Sequence, residues 1–220
     1  FGYSIAMNEK GTRLAVSAPA KNKSAGQVKV FDINSSISQS SFTQVGQSIY
    51  GDAIDYAGLN IDLSADGLRL AIAAPYNDKG GVNAGQIRLF HLQDEKSSQS
   101  TPHRREWVLV AEILGQNNNE AIGSNISLHL STSKSGLLVM FSVGSDNFSE
   151  SSTQRVYALA TSTGTDSNSN ATQIGWDIPS PYIPSDSSTT MSGEGNRIAI
   201  ASNVANTIEP GSVQVFDYDV

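Results

Sequence analysis

The sequence predicts an all-β chain: a β-propeller or propeller-like array of four-stranded antiparallel blades. Three observations carry this. Near-identical phrases recur at long, regular spacing: "RLAVSAP" at 13–19, "RLAIAAP" at 69–75 and "RIAIASN" at 197–203. Most phrases alternate apolar and polar residues, the period-2 signature of strands. The chain also holds 33 Ser and 12 Thr among 220 residues, with 19 Gly; these residue types disfavour helices and suit short strands joined by turns.

Blade 1 spans 1–51. It reads "GYSIAMN" (2–8), "RLAVSAP", "AGQVKVF" (25–31) and "FTQVGQSIYG" (42–51), with a turn at Lys10-Gly11. Blade 2 spans 52–115 and repeats the order: "GLNIDLS" (58–64), "RLAIAAP", "AGQIRLF" (84–90) and "EWVLVAEILG" (106–115). Its turn at Asp66-Gly67 lies between two alternating runs, a strong hairpin signal. Blade 3 spans 116–180, with "SNISLHL" (124–130), a segment around Leu138, "TQRVYAL" (153–159) and "TQIGWDIPS" (172–180), and a turn at Ser135-Gly136. Blade 4 spans 181–220 and supplies a weak first phrase, "STTMSG" (188–193), then "RIAIASN" and "GSVQVFD" (211–217), with a turn at Gly195-Asn196. The chain therefore holds about 3.75 blades.

The spacings agree between independent phrases. Leu14, Leu70, Leu138 and Ile198 fall 56, 68 and 60 residues apart, and Val28, Ile87, Val156 and Val213 fall 59, 69 and 57 apart. In "RLAIAAP", Leu70 and Ile72 face one side and Ala71 and Ala73 the other. A sheet buried on both faces needs this pairing of bulk with space. Pro75 then ends the strand, because it has no N–H for the ladder.

Composition limits function. The net charge of −7 and pI near 4.8 oppose binding to nucleic acid or a polyanionic membrane surface. His103, Arg104 and Arg105 form the one basic cluster and read as a solvated loop tip. There is no cysteine, so disulfides and thiolate metal sites are excluded. No stretch reaches 18 apolar residues, so no membrane span is expected. The start at Phe1 rather than Met reads as the interior of a longer or processed polypeptide.

The phrase "FGYSIAMNEKGTRLAVSAP" resembles the FG-GAP type of repeat, with Phe1-Gly2 at its start and Ser17-Ala18-Pro19 at its end. The second copy carries Ala57-Gly58 and Ala73-Ala74-Pro75. The unit is also similar to repeats in large extracellular proteins of algae and related protists. The resemblance covers nearly the whole chain, and it implies a β-propeller used in adhesion or surface architecture. Integrin-like FG-GAP blades carry a D-x-D-x-D-G calcium loop. None occurs here: Asp62 and Asp66 flank a turn without the intervening oxygen ligands. Asn117, Asn118, Asn119 and Glu120 offer oxygens but read as an ordinary loop, so no metal or other cofactor is expected.

Catalytic chemistry finds no anchor. Nucleophilic catalysis needs Ser or Cys beside a His and an acid. His91 and His129 read as solvent-facing strand residues, His103 as loop, and no G-x-S-x-G elbow exists. Arg13, Arg69 and Arg197 recur at one repeat position. A ring of arginines binding a carboxylate is one reading; a long charged side chain kept wet at each strand start is the other. The acceptor pattern N-x-[ST] occurs at Asn22, Asn34, Asn147 and Asn170, in predicted loops, and at Asn125, at a predicted strand start. The Ser/Thr-rich loops 161–172 and 179–190 resemble O-glycosylated linkers.

The expected function is a non-enzymatic structural or adhesive module, extracellular or on the cell surface, able to self-assemble into a fibre or coat. Its partners would be other protein chains, meeting at the unfilled edge of blade 4 by strand addition, and glycans. A soluble propeller that binds a peptide or glycan, and a glycan-cleaving propeller enzyme, are the two alternatives.

Overall fold

A computed structural model of the chain describes residues 1–35, 40–94, 105–124, 129–133, 136–143, 153–159, 171–179, 187–192, 196–202 and 212–217. Among the described residues the chain is all-β apart from one turn at 21–24, and its strands form four antiparallel sheets, none closed on itself. Sheet 1 runs β1 (Ile5–Met7), β2 (Arg13–Ala18), β3 (Gln27–Ser35) and β4 (Ser40–Gln44), with β5 (Ile49–Tyr50) returning to pair β3. Sheet 2 holds β6 (Asn60–Leu63), β7 (Arg69–Ala74), β8 (Gln86–Asp94) and β9 (Arg105–Leu114). Sheet 3 holds β10 (His129–Ser133), β11 (Gly136–Val143), β12 (Thr153–Leu159) and β13 (Ala171–Pro179). Sheet 4 has three strands among the described residues: β14 (Ser187–Met191), β15 (Arg197–Ser202) and β16 (Ser212–Asp217). Apart from β5, each strand pairs its sequence neighbours in a meander, the arrangement that short turns favour.

The sheets stack in chain order. Leu70, Ile72 and Phe90 on one face of sheet 2 join Ala15, Val28 and Val30 of sheet 1 in one buried cluster. Ala71, Ala73, Ile87 and Leu89 on its other face join Val139, Phe141 and Tyr157 of sheet 3. Met140 and Val156 on the far face of sheet 3 join Ile198 and Ile200 of sheet 4. Leu70 through Ala74 are 0% exposed, so the expected division of bulk and space on β7 is present. Burying one such Leu or Ile contributes about 1.5–3 kcal/mol.

The register corrects the sequence alignment in two places. Leu70 pairs Phe90 and Ala71 pairs Leu89, whereas Val139 pairs Tyr157 and Met140 pairs Val156. Val139, not Leu138, is thus the equivalent of Leu70, and Val156 is the equivalent of Leu89 rather than Ile87. A run of five apolar residues, "LLVMF", hides its parity, and a one-residue slip exchanges the two faces. The expected strand at 42–51 is also broken. Trp107 of sheet 2 inserts at the gap between β4 and β5: its indole N–H donates to the Val45 carbonyl at 3.0 Å, and the Gln47 side chain bonds both Trp107 backbone groups at 2.7 and 2.9 Å.

Glycines permit the closest approach between sheets. Gly58 (φ +88°) and Gly123 (φ +77°) hold equivalent places before β6 and β10, and a Cβ on either would lie 2.9 Å from the Ser17 Cβ or 2.6 Å from the Ala73 Cβ of the preceding sheet. Ala73→Leu should therefore overpack this seam and lower stability by about 1–3 kcal/mol. Chemical denaturation of the variant against the parent checks this.

Candidate functional site

The recurring arginines begin at a shared hairpin turn. At its first corner stands Asn8, Ser64 or Ser192, whose side-chain oxygen accepts the backbone N–H of Arg13 (2.8 Å), Arg69 (2.9 Å) or Arg197 (3.2 Å). Asn8 also accepts the Thr12 N–H at 2.9 Å, and Asp66 accepts those of Leu68 and the Ser64 hydroxyl. The acid at Asp66 is thus engaged in closing its own turn, as Asp and Asn side chains do. The weak phrase at 188–193 contains the same turn, with Ser192 in the Ser64 place.

The arginine side chains differ, which corrects the expectation that each stays wet. Arg13 is 8% exposed. Its Nε donates to Asp32 at 2.6 Å, and its Nη1 donates to the Gly67 carbonyl of sheet 2 at 2.9 Å. Asp32 neutralises the guanidinium, and the carbonyl satisfies the hydrogen that burial would otherwise orphan. Arg69 is half-buried, and burial holds its pKa below the ordinary value against the opposing charge of Asp66. Arg197 forms the same internal pair, with Asp217 at 2.5 Å, but both side chains are exposed. The hydrogen bond between them raises the Arg197 pKa and lowers that of Asp217. The three arginines belong to different sheets; Arg13 and Arg197 each pair with an aspartate of their own sheet, and Arg13 also bonds sheet 2.

A second repeated constellation lies in the loops between sheets. Asp55 and Glu120 are equivalent and both buried. Asp55 accepts the Asp52 N–H at 3.1 Å and the Asn77 amide at 2.8 Å. Glu120 accepts the N–H groups of Gln116 and Asn117 and pairs with Arg155 at 2.5 Å. The Asn117–Glu120 loop is therefore a carboxylate-capped turn. Three backbone bonds then staple each such loop to the loop of the previous sheet: Ile54, Tyr56 and Ala57 donate to Lys23, Ser24 and Ala25, and Asn119, Ala121 and Ile122 donate to Val82, Asn83 and Ala84. Among the described residues no group of three His, Cys, Asp or Glu is placed to hold a metal ion.

Arg88 is the equivalent of Arg155 by register. It donates Nη1 to the Tyr50 carbonyl at 2.9 Å and lies 5.6 Å over the Phe90 ring. Its Nε and Nη2 are buried without a protein partner. Burial lowers its pKa, while Asp55, Glu112 and Asp52 oppose the shift. This cation and the acid at Asp55 escaped the sequence reading, because Arg88 stands on β8 and Asp55 in the loop before β6, and only the fold sets that charge near the arginine.

His91 is half-buried rather than solvent-facing, directly across from Arg69. Burial and then the Arg69 charge lower its pKa, with Asp66 opposing. His129 pairs Met140 at the start of β10. Asn22 is exposed on the turn at 21–24, in the left-handed region (φ 54°) that Asn tolerates. Asn34 is exposed but sits in β3 opposite Ser41, not in a loop as expected. Asn125, Asn147, Asn170, His103, Arg104, Ser135, Gly195 and most of the loops 161–172 and 179–190 lie outside the described residues. Arg105 opens β9, exposed, near Asp94 and Asp32. No helix of the described residues is long and apolar enough to cross a membrane.

No protein-family profile matches the chain, and no curated protein matches it. Among solved structures, a chain of Kuenenia stuttgartiensis hydrazine synthase is similar at 14% identity over 90% of this chain and 64% of that one, with a TM-score of 0.31. The present chain thus spans less than two thirds of that protein's length, and a likeness this slight supports neither a shared fold nor shared chemistry.

The contrast between the outer two arginines is measurable. Arg13→Ala leaves Asp32 and the Gly67 carbonyl without their donor in a buried seam and should cost about 2–4 kcal/mol. Arg197→Ala removes an exposed pair and should leave the melting temperature of the isolated chain unchanged. Thermal unfolding of both variants decides it.

Proposed function

We propose that this chain is a non-enzymatic structural or adhesive repeat module whose four sheets are arranged as propeller-type blades of the FG-GAP kind. It works outside the cell or at its surface and associates with other protein chains, its own copies included, to build a fibre or coat. One observation carries the reading: the array ends in exposed apolar sheet surface on both sides. Ile5, Met7 and Phe42 on sheet 1 are 66, 54 and 59% exposed, and Val213 and Val215 on sheet 4 are 70 and 59% exposed. Contiguous exposed apolar surface of this kind marks an interaction site. The repeated polar groups support the same reading, since Arg13, Asp55, Glu120 and Arg155 are engaged in bonds within and between sheets.

Electron microscopy of native, unfractionated material should show regular filaments or sheets. Discrete round particles would instead point to a closed propeller with a ligand on one face. An extracellular origin predicts glycan at Asn22, where the acceptor pattern stands on an exposed turn. Glycosidase treatment should lower the mass of native protein, and Asn22→Gln should remove one step of that shift. An unchanged mass on glycosidase treatment would argue against the secretory route.

A further inference from the structure

The two ends of the array carry the two halves of one interface. On sheet 1 the face turned away from sheet 2 bears Ile5, Met7, Phe31, Ile33 and Phe42. Strand register makes these the equivalents of Ile61, Leu63, Phe90, Leu92 and Trp107. All five equivalents are buried in the core between sheets 1 and 2. On sheet 4 the face turned away from sheet 3 bears Val213 and Val215. Their equivalents Val28 and Val30 are 1% exposed in that same core. Sheet 1 thus presents, uncovered, the bulky half of the seam, and sheet 4 presents the small half.

Two further details match. Gly2 has φ +91°, like Gly58 and Gly123, yet a Cβ there would meet nothing within 4 Å. Its two equivalents press on Ser17 and Ala73, whose counterpart on sheet 4 is Ala201. Arg197 is paired to Asp217 as Arg13 is to Asp32, but its side chain is 63% exposed where that of Arg13 is 10%. Arg13 spends its Nη1 on the Gly67 carbonyl of the next sheet, and the turn glycine that corresponds to Gly67 in sheet 1 is Gly11.

We propose that two copies of this chain join head to tail, sheet 1 of one docking on sheet 4 of the next and repeating the seam between sheets 1 and 2. This rests on the structural reading above and names its partner, a second copy of the chain. Ile5, Met7 and Phe42 of the incoming copy cover Val213 and Val215, its Gly2 seats on Ala201, and Arg197 donates to its Gly11 carbonyl. The contact joins two different surfaces, so it does not close by two-fold symmetry. Each addition leaves one of each surface free, and the product is an open filament unless the rotation closes a ring.

The test uses the 220-residue chain and its variants Ile5→Glu and Val213→Glu, both at exposed positions that leave the fold intact. Light scattering across a concentration series should show the parent growing well beyond 23.3 kDa, while each variant alone stays monomeric. An equimolar mixture of the two variants retains one good copy of each surface and should stop at two chains. Arg197→Ala should weaken assembly by about tenfold or more, with melting unchanged. A parent that stays at the mass of one chain at every concentration overturns the proposal. Growth of all variants equal to the parent also overturns this joint, while leaving the structural reading to stand on another contact such as the edge of β16. Absence of filaments from native material removes that reading as well.

Discussion

The constraint on which this structure depends is that each inner sheet must be buried on both faces by neighbours of the same kind. Two bulky faces cannot approach to the roughly 10 Å spacing of packed sheets, and two small faces leave voids. The sequence resolves this within six residues. On β7 leucine and isoleucine alternate with alanine, and in the first two seams the bulky face of one sheet meets the smaller face of the sheet before it, while the third sets Ile198 and Ile200 against Met140 and Val156. The repeat is therefore directional. Everything else in the chain holds that stacking at the right distance: glycines where loops touch the previous sheet, and an arginine or a backbone staple where polar groups would otherwise be stranded.

Buried polarity follows the same logic. A carboxylate in a dry seam is costly unless its lone pairs are filled. Asp55 accepts one backbone N–H of its own loop and the Asn77 amide of the loop after β7, and Glu120 accepts two backbone N–H groups of its loop and pairs with Arg155 on β12. The partner varies between Asn77 and Arg155, because the loop needs a donor more than it needs a particular residue. Arg88 is the member of this set whose needs the protein meets least, with two buried nitrogens that find no protein acceptor. Acids at Asp55, Glu112 and Asp52 nonetheless supply a field that favours its charge.

Strand positions were legible in the sequence wherever apolar and polar residues alternate, as in β6 and β8. They were less legible where parity is lost. In "LLVMF" every residue is apolar, so only the pairing of Val139 with Tyr157 reveals which face is which. The phrase at 188–193 was weak because Thr189 stands where Ile5 and Ile61 stand in the earlier copies, although the Arg197 N–H still donates to the Ser192 side chain. The division of one outer strand into β4 and β5 had no local signal, since its cause is Trp107, sixty residues away. Burial of Arg13 was hidden for the same reason: an arginine at a strand start is ordinarily wet, and only the carbonyl of Gly67 on the next sheet makes its burial tolerable.

Directionality also explains why equivalent residues differ in exposure without differing in kind. Arg13 and Arg197 are built alike, each with an aspartate directly across on the adjacent strand, and of the two only Arg13 meets a following sheet among the described residues. Val28 and Val213 occupy one register position and differ in exposure from 1% to 70%. Residue choice at the ends therefore reflects the interior environment rather than the solvent around it. A sequence under no demand beyond solubility would drift toward charge at Ile5, Phe42, Val213 and Val215, as exposed edges and faces generally do. Their apolar character is that of their buried equivalents Ile61, Trp107, Val28 and Val30, and the joint we propose rests on that likeness.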